Sequence, residues 1–206
     1  TTAIFTTEHM ITIGVTGGIG SGKSEVCEIW QRQGAYVLNA DDLAKQLMIE
    51  REDIRQEIID TFGSSSYHDD GSLNRQHLAR EAFEKGRVEE LNAIVHPRMP
   101  GEVKMRMEDV RKQGYKVFVY EAALLLQNLR PGNLDYVVLV LAPEEDRIRR
   151  VQERDQVARD TVMGRMQTQQ EFEQHTDEAD FVIRNDGTLK DLEKEAMNIY
   201  RNITRG

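Results

Sequence analysis

The feature that most constrains the fold is a β-branched run that ends in a glycine-rich segment, ITIGVTGGIGSGKSEV at residues 11–26. Gly17, Gly22, Lys23 and Ser24 satisfy the pattern G-x4-G-K-(S/T), with a strand-like segment before it and a helix-like segment after it. Glycines let backbone N–H groups approach phosphate oxygens closely, and the N-terminus of the next helix adds a favourable dipole. The segment predicts a loop that binds nucleotide phosphates, with Lys23 bridging the β- and γ-phosphates and Ser24 binding Mg²⁺. The alternative is a glycine-rich turn with an incidental lysine.

The rest of the chain has an α/β pattern. Helix-like segments separate apolar, β-branched runs at residues 11–15, 36–38, 117–120, 136–141 and 181–183. Strands that are apolar on both faces are typical of a parallel sheet, because the helical crossovers cover both faces. We therefore predict an α/β fold with a five-stranded parallel sheet and helices on both faces. Helical patterns without strand signal fill the interval from Asp41 to Gly114, and a charged helical stretch runs from about Pro143 to Gln170.

Composition limits the class of protein and its partners. The 206 residues suit one compact domain, and the net charge of −9 makes duplex nucleic acid a poor partner. The single cysteine, Cys27, cannot form an intrachain disulfide, and no apolar run approaches the length of about 18 residues that a membrane span needs. We expect a cytoplasmic protein without a membrane or nucleic-acid partner. Residues 1–9, which precede Met10, are expected to be a tag or an upstream extension.

An aspartate follows the second predicted strand. In VLNADDLAKQL, Asp41 would lie at the carboxyl end of a parallel strand, where open α/β sheets bind their ligands. A carboxylate there could accept the proton of an attacking hydroxyl during phosphoryl transfer. The alternative is that Asp41 or Asp42 caps the next helix. The chain has no N-K-x-D motif, which disfavours a switch GTPase.

Three arginines recur at helical spacing in the charged stretch RIRRVQERD. Arg147, Arg150 and Arg154 stand at i, i+3 and i+7 and would share one helix face. Guanidinium groups suit the dispersed charge of a phosphoryl-transfer transition state, and a helical lid could bring them in while excluding water. The alternative is a solvated face whose arginines pair with Glu144, Glu145 and Glu153.

Taken in order, these segments resemble the dephospho-CoA kinase family over residues 10–190. The further segments that carry the resemblance are DGSLNRQHLAREAF, LNAIVHPRM, VYEAALLL and ADFVIRNDG. The resemblance implies ATP-dependent phosphorylation of the ribose 3′-hydroxyl of dephospho-CoA, the last step of coenzyme A synthesis. It also implies a P-loop kinase core at about 10–44, 115–142 and 171–206, a helical CoA-binding insertion at about 45–114 and a lid at about 143–170.

The resemblance assigns roles to individual residues. Asp41 is implied to be the catalytic base, and Arg75 and His96 are implied to face dephospho-CoA. For His96 the alternative is a structural turn before Pro97. Arg150 and Arg154 match the lid arginines, with Arg150 in a catalytic role, and Asn185 and Gly187 match a segment near the adenine of ATP. The loop residues expected to contact ATP are Gly17, Gly18, Gly20, Ser21, Gly22, Lys23, Ser24 and Glu25.

The chain departs from the family pattern at several positions. Asn39 replaces the first aspartate of D-A-D and cannot share negative charge with a neighbouring carboxylate. Glu25 replaces the usual threonine, and Ala123 and Gln127 replace the proline and glutamate of a P-L-L-x-E segment. Glu121 is then the acidic group expected at the end of the third strand, where it could hold Mg²⁺ through water or orient Ser24. The alternative is a surface carboxylate.

Two other functions stay open at this point. The same core could serve a nucleoside or other small-metabolite kinase, or a nucleotide-gated protein that hydrolyses ATP slowly and acts through a partner. The expected ligands are ATP, Mg²⁺ and dephospho-CoA, and the expected state is a monomer or a small homo-oligomer.

Overall fold

The computed structural model describes residues 9–123, 125, 133–167, 169 and 172–205. The predicted extension at 1–9, apart from His9, and the departure at Gln127 lie outside the described residues.

Five parallel strands form one sheet, which confirms the predicted fold class. The spatial order is β2-β3-β1-β4-β5, so β1 lies at the centre with β3 and β4 on its two sides. Because the chain leaves β1 toward one edge and later returns to the other, the carboxyl end of β1 is a topological switch point, where such sheets bind ligands. The strands are β1 Ile11–Thr16, β2 Tyr36–Asn39, β3 Val117–Glu121, β4 Tyr136–Leu141 and β5 Phe181–Arg184.

The helices lie between the strands and after the last of them. Short 3₁₀ turns and one π-helical turn, Ala79–Glu84, connect some of them. The α-helices are α1 Lys23–Arg32, α2 Ala40–Glu50, α3 Glu52–Phe62, α4 Arg75–Leu78, α5 Val88–Val95, α6 Met99–Lys112, α7 Glu144–Asp155, α8 Arg159–Gln167 and α9 Leu189–Arg205. None of the helices in the described part of the chain is long and apolar enough to cross a membrane.

The sheet has apolar clusters on both sides. On one side, fully buried β-branched residues of the central strands pack against α1 and α9. There the indole of Trp30, which is 0% exposed, donates from Nε1 to the carbonyl of Ala196 at 2.9 Å. On the other side, Leu139 and Leu141 pack against Phe172. Burial on both faces explains why the strands are nearly continuous apolar runs rather than alternating ones.

The chain divides into two compact units. One contains the chain up to Asn39 and from Val110 onward, and therefore the whole sheet; the other is the helical segment Ala40–Asp109. In the helical unit, Ile54, Ile58 and Phe62 form the buried face of α3. This unit begins at Ala40, earlier than residue 45, where the predicted CoA-binding insertion begins. The functional division into core, insertion and lid stays a prediction.

Candidate active site

The loop between β1 and α1 has a backbone that depends on glycine. Gly17, Gly20 and Gly22 have φ values of +148°, +76° and +100°, which residues other than glycine rarely adopt. The loop is also closely packed: a Cβ atom on Gly17 would lie 2.2 Å from the carbonyl oxygen of Val140, and one on Gly22 would lie 2.3 Å from Nδ2 of Asn185. These glycines therefore serve both the conformation of the loop and its contacts with the surrounding structure.

Four successive carbonyl groups of this loop accept hydrogen bonds from side chains. The carbonyl of Gly18 accepts from Lys23 Nζ at 3.1 Å, that of Ile19 from Arg147 Nε at 2.9 Å, that of Gly20 from Arg150 Nη1 at 3.4 Å and that of Ser21 from Asn185 Nδ2 at 2.9 Å. A planar trans peptide points its N–H away from its C=O. Hydrogen bonds to these carbonyl groups therefore help to direct the N–H groups of the same peptides toward the opposite face of the loop.

The N–H side of the loop has the properties of an anion site. Among the described residues, the N–H groups of Gly20 and Gly22 have no hydrogen-bond partner. The hydroxyl of Ser21 is buried and likewise has none there. The helix α1 begins directly after the loop, at Lys23, so its positive dipole end faces the same region. Unpaired donors at a helix N-terminus are the arrangement that binds phosphate groups.

A buried carboxylate connects the ends of two strands with the start of α1 beside this loop. Glu121, at the end of β3, is 6% exposed and accepts from Ser24 Oγ at 2.7 Å and, on its other oxygen, from Asn39 Nδ2 at 2.9 Å. Asn39 ends β2 and is the register partner of Glu121. The alternative that Glu121 is a surface carboxylate is wrong, because this side chain is buried. Because Asn39 is a neutral hydrogen-bond donor, Glu121 does not face a second carboxylate at this contact.

The oxygen donors at Ser24 and Glu121 fit Mg²⁺. Both are hard oxygen ligands, and the exposed Ser24 is accessible to a bound ion. No group of three or more histidine, cysteine, aspartate or glutamate residues able to hold a metal occurs within the described ranges. A Mg²⁺ ion would therefore need phosphate oxygens and water as further ligands, which is how this ion is usually held in kinases.

The predicted arginine face divides between two environments. Arg147 and Arg150 reach the loop, and Arg150 also donates from Nη2 to the backbone and side-chain oxygens of Asn185 at 3.2 and 3.3 Å. Arg154 instead donates to Asp155 at 2.7 Å, and its side chain is 62% exposed. The hydrogen bond that Arg154 donates to Asp155 raises the pKa of Arg154 above its ordinary value.

Asn185 lies behind the loop, directly after β5. Its side chain is 6% exposed, and its backbone N–H donates to Leu141 at 2.7 Å. Its side-chain amide donates to the Ser21 carbonyl and accepts from Arg150, so this side chain supports the phosphate loop. Gly187 follows in the turn before α9, where a Cβ would lie 3.0 Å from Oδ2 of Asp191. The expected adenine contacts of Asn185 and Gly187 stay predictions.

The departures at Glu25 and Ala123 are accommodated locally. Glu25 lies in the first turn of α1, where a negative charge is favourable toward the helix dipole. The carbonyl of Ala123 accepts from the hydroxyl of Thr16 at 3.2 Å, which ties the segment after β3 to the end of β1. Cys27 is buried on the same helix, and its pKa is well above the ordinary value because of burial and then the nearby Glu121. That position agrees with a packing role for this thiol.

The helical unit carries the other three predicted residues. Asp41 lies in the first turn of α2 with an exposed carboxylate. Arg75 begins α4, and His96 begins a 3₁₀ turn before α6; both are exposed. Among the described residues, the side chains of Asp41, Arg75 and His96 have no hydrogen-bond or ion-pair partner, so all three are available to a ligand.

Two contacts of the loop were not predicted as site contacts. Arg147 is predicted to belong to an arginine face that approaches phosphate charge, but not to contact the loop, and no role is predicted for Gln169, whose Oε1 accepts from the N–H of Ile19 at 2.8 Å. The helical spacing with Arg150 was the signal available for Arg147. A glutamine in a polar, charged stretch gives no such signal, because its partner lies 150 residues away in sequence.

Fold and loop together define a class. A glycine-rich phosphate loop between the first strand and the first helix of a five-stranded parallel sheet makes this chain a P-loop kinase by fold. Two solved structures are similar over almost the whole chain. TT1252 from Thermus thermophilus is 32% identical, with a TM-score of 0.74 over 94% of this chain and 98% of that one. A dephospho-CoA kinase from Campylobacter jejuni is 25% identical, with a TM-score of 0.67 over 95% and 98%.

Sequence relatives define the family within this class. Residues 11–191 match the family described as dephospho-CoA kinase. A dephospho-CoA kinase from Salinibacter ruber is 44% identical over 96% of this chain and 100% of that protein. A dephospho-CoA kinase from Corynebacterium glutamicum is 36% identical over 94% and 98%. The chain belongs to the dephospho-CoA kinase family, as the sequence motifs predicted.

Proposed function

We propose that this chain transfers the γ-phosphoryl group of ATP to the ribose 3′-hydroxyl of dephospho-CoA, which yields coenzyme A and ADP. The observation that carries the proposal is the family match over residues 11–191, which includes the phosphate loop, the strand ends and both predicted substrate residues. Catalysis in such a site rests on positioning and electrostatic stabilisation, since phosphoryl transfer itself asks for little covalent chemistry from the protein.

The nucleotide would be held mainly by the loop. The N–H groups of Gly20 and Gly22 and the ammonium of Lys23 would contact the phosphates, and the unpaired hydroxyl of Ser21 is a further donor. To reach a phosphate, the Lys23 ammonium would exchange its hydrogen bond to the Gly18 carbonyl for one to a phosphate oxygen. Asn185 and Gly187 would border the adenine.

Ser24 and Glu121 would hold Mg²⁺, with Glu121 acting through a bound water. When bound, the ion would neutralise charge on the β- and γ-phosphates. Glu121 has a second task that needs no ion. It accepts a hydrogen bond from Ser24 Oγ at 2.7 Å, so the lone pairs of the serine oxygen are directed away from the carboxylate.

The acceptor would be activated by Asp41. Its carboxylate would receive the proton of the 3′-hydroxyl as the hydroxyl oxygen attacks phosphorus and ADP leaves on the opposite side. Arg75 and His96 would hold dephospho-CoA, since both are exposed cationic or hydrogen-bonding groups without a partner among the described residues. Arg150 and Arg154 would close over the γ-phosphoryl group, and Arg154 would then exchange Asp155 for phosphate oxygens. We further propose that the enzyme is cytoplasmic and has no nucleic-acid or membrane partner.

A coupled ADP-release assay against a panel of acceptors tests the proposal. The panel contains dephospho-CoA, adenosine, uridine and shikimate, and mass spectrometry identifies the product. We expect turnover with dephospho-CoA alone and a product heavier by one phosphoryl group. Turnover with another acceptor would instead indicate a different small-metabolite kinase. ADP release that is independent of acceptor, without a phosphorylated product, would indicate a nucleotide-gated ATPase.

A further inference from the structure

One residue in the middle of the phosphate loop is held at both of its backbone polar groups. The N–H of Ile19 donates to Oε1 of Gln169 at 2.8 Å, and the carbonyl of Ile19 accepts from Nε of Arg147 at 2.9 Å. Both partners belong to the segment 143–170, and neither is adjacent to the loop in sequence. These two groups belong to successive peptide planes, Gly18–Ile19 and Ile19–Gly20, so the two directed hydrogen bonds together fix the orientation of both planes and therefore the φ and ψ angles of Ile19.

Arg147 is packed tightly against the glycines on either side of Ile19. A Cβ atom on Gly18 would lie 2.2 Å from Nη2 of Arg147, and one on Gly20 would lie 2.5 Å from the Arg147 carbonyl oxygen. The guanidinium is half-buried, and this burial lowers the pKa of Arg147, although Glu173 and Glu144 oppose the effect. A half-buried guanidinium loses part of its hydration, and the hydrogen bond to the Ile19 carbonyl offsets this free-energy cost.

We propose that Arg147 and Gln169 are positioning residues that lock the two peptide planes at Ile19 and so hold the phosphate loop in its nucleotide-binding shape before ATP arrives. Holding a loop in its bound shape raises affinity because less conformational freedom is lost on binding. The inference rests on the proposed function insofar as the loop binds ATP. It does not depend on which acceptor is phosphorylated.

The test compares three variants of the full chain with the unaltered protein. Arg147→Met keeps the aliphatic stem and removes the donor to Ile19. Gln169→Leu removes the acceptor of the Ile19 N–H, on a side chain that is only half-buried. Arg149→Met is the matched control: Arg149 lies on the same helix, is 63% exposed and pairs with Asp146 at 2.7 Å.

Isothermal titration calorimetry with ATP and Mg²⁺ measures Kd, steady-state kinetics separate the two KM values from kcat, and thermal denaturation reports folding. We expect Arg147→Met to raise the Kd and KM for ATP about tenfold, as the loss of one charge-assisted hydrogen bond predicts. Gln169→Leu is expected to raise them less, because a neutral hydrogen bond is weaker. The KM for dephospho-CoA and the Tm of both variants, and every parameter of Arg149→Met, should stay close to those of the unaltered protein.

Two further variants separate positioning from a general structural role. Arg147→Lys keeps a cationic donor and should recover part of the ATP affinity. The double variant Arg147→Met/Gln169→Leu should lose less affinity than the product of the two single effects, because releasing one of the two peptide planes at Ile19 leaves less for the remaining hydrogen bond to hold. Unchanged ATP affinity in both single variants, fully independent effects, or no gain from lysine over methionine would overturn the proposal. If dephospho-CoA proved not to be the acceptor, the Kd for ATP would still respond as stated, so the two failures are distinguishable.

Discussion

Replacing Glu121 with glutamine tests the strand-end contact most directly. The change keeps the size of the side chain and removes only its charge. Glu121 accepts from Ser24 on one oxygen and from Asn39 on the other. A glutamine can still accept from Ser24 with its carbonyl oxygen. Its NH₂ would then face Asn39, whose amide can rotate so that Oδ1 accepts. The hydrogen-bond pattern can therefore survive without the negative charge.

The expected cost to stability is small. Two charge-assisted hydrogen bonds become neutral ones, and each loses part of its net contribution. The free energy of unfolding should fall by about 1–2 kcal/mol, because a hydrogen bond to a charged group contributes roughly twice as much as a neutral one. No cavity forms, since glutamate and glutamine have nearly the same volume, so the fold and its core should remain intact.

The expected cost to activity is much larger. A group that orients a metal ligand or holds the ion through water typically changes metal affinity or activity by about 10–100-fold when it is removed. We therefore expect Glu121→Gln to lower kcat or raise the Mg²⁺ concentration at half-maximal rate by about 10–100-fold. ATP binding in the absence of Mg²⁺ should change little, because the loop amides and Lys23 keep their contacts.

The assay is ADP release with dephospho-CoA over a series of Mg²⁺ concentrations, combined with chemical denaturation of each variant. Glu28→Gln supplies the matched control, since Glu28 is an exposed residue of α1 and undergoes the same chemical change. A Glu121→Gln enzyme with the rate and Mg²⁺ dependence of Glu28→Gln would refute the assignment. The carboxylate would then serve only to join β3 to its neighbours.

Three shorter predictions concern the base, the core and the acid limit of stability. Asp41→Asn should keep the ATP affinity measured by calorimetry while losing most phosphoryl transfer; near-normal turnover would exclude Asp41 as the base. Trp30→Phe removes the indole donor to the Ala196 carbonyl and should lower the unfolding free energy by about 1–3 kcal/mol in urea, with kcat unchanged. The hydrogen bond from Arg51 lowers the pKa of Asp53 from 3.8 to about 2. A depressed carboxyl pKa adds stability at higher pH that is lost as the pH falls from 3.8 toward 2, so Asp53→Asn should flatten the pH dependence of unfolding in that interval.

The sheet was predictable because its physical signal is local and repeated. The three central strands are short apolar runs that are largely buried on both faces, and the ends of all five predicted runs lie within one residue of the strand ends in the structure. The start of α1 was equally clear, since three positive-φ positions force glycine at fixed spacing before Lys23. Patterns of this kind need no knowledge of distant parts of the chain.

The contacts that shape the site were less predictable because they join distant segments. Arg147 meets Ile19 across 128 residues, and Asn185 meets Ser21 across 164. Such pairs depend on the order of the strands in the sheet and on the turns that follow them. Sequence spacing places Arg147 and Arg150 on one face of a helix, but it does not say which loop that face meets.

Asn39 shows how the strand register determines the consequence of a departure. From sequence alone, the loss of an aspartate at this position removes a negative charge next to Asp41 and puts a two-carboxylate mechanism in doubt. In the structure Asn39 is the register partner of Glu121, and its amide donates to the carboxylate that also accepts from Ser24. An aspartate here would place like charges within hydrogen-bond distance, whereas the Asn39 amide donates a hydrogen bond to Glu121. With asparagine at position 39, Glu121 is the acidic residue of this pair of strand ends, and it is also the residue that contacts Ser24.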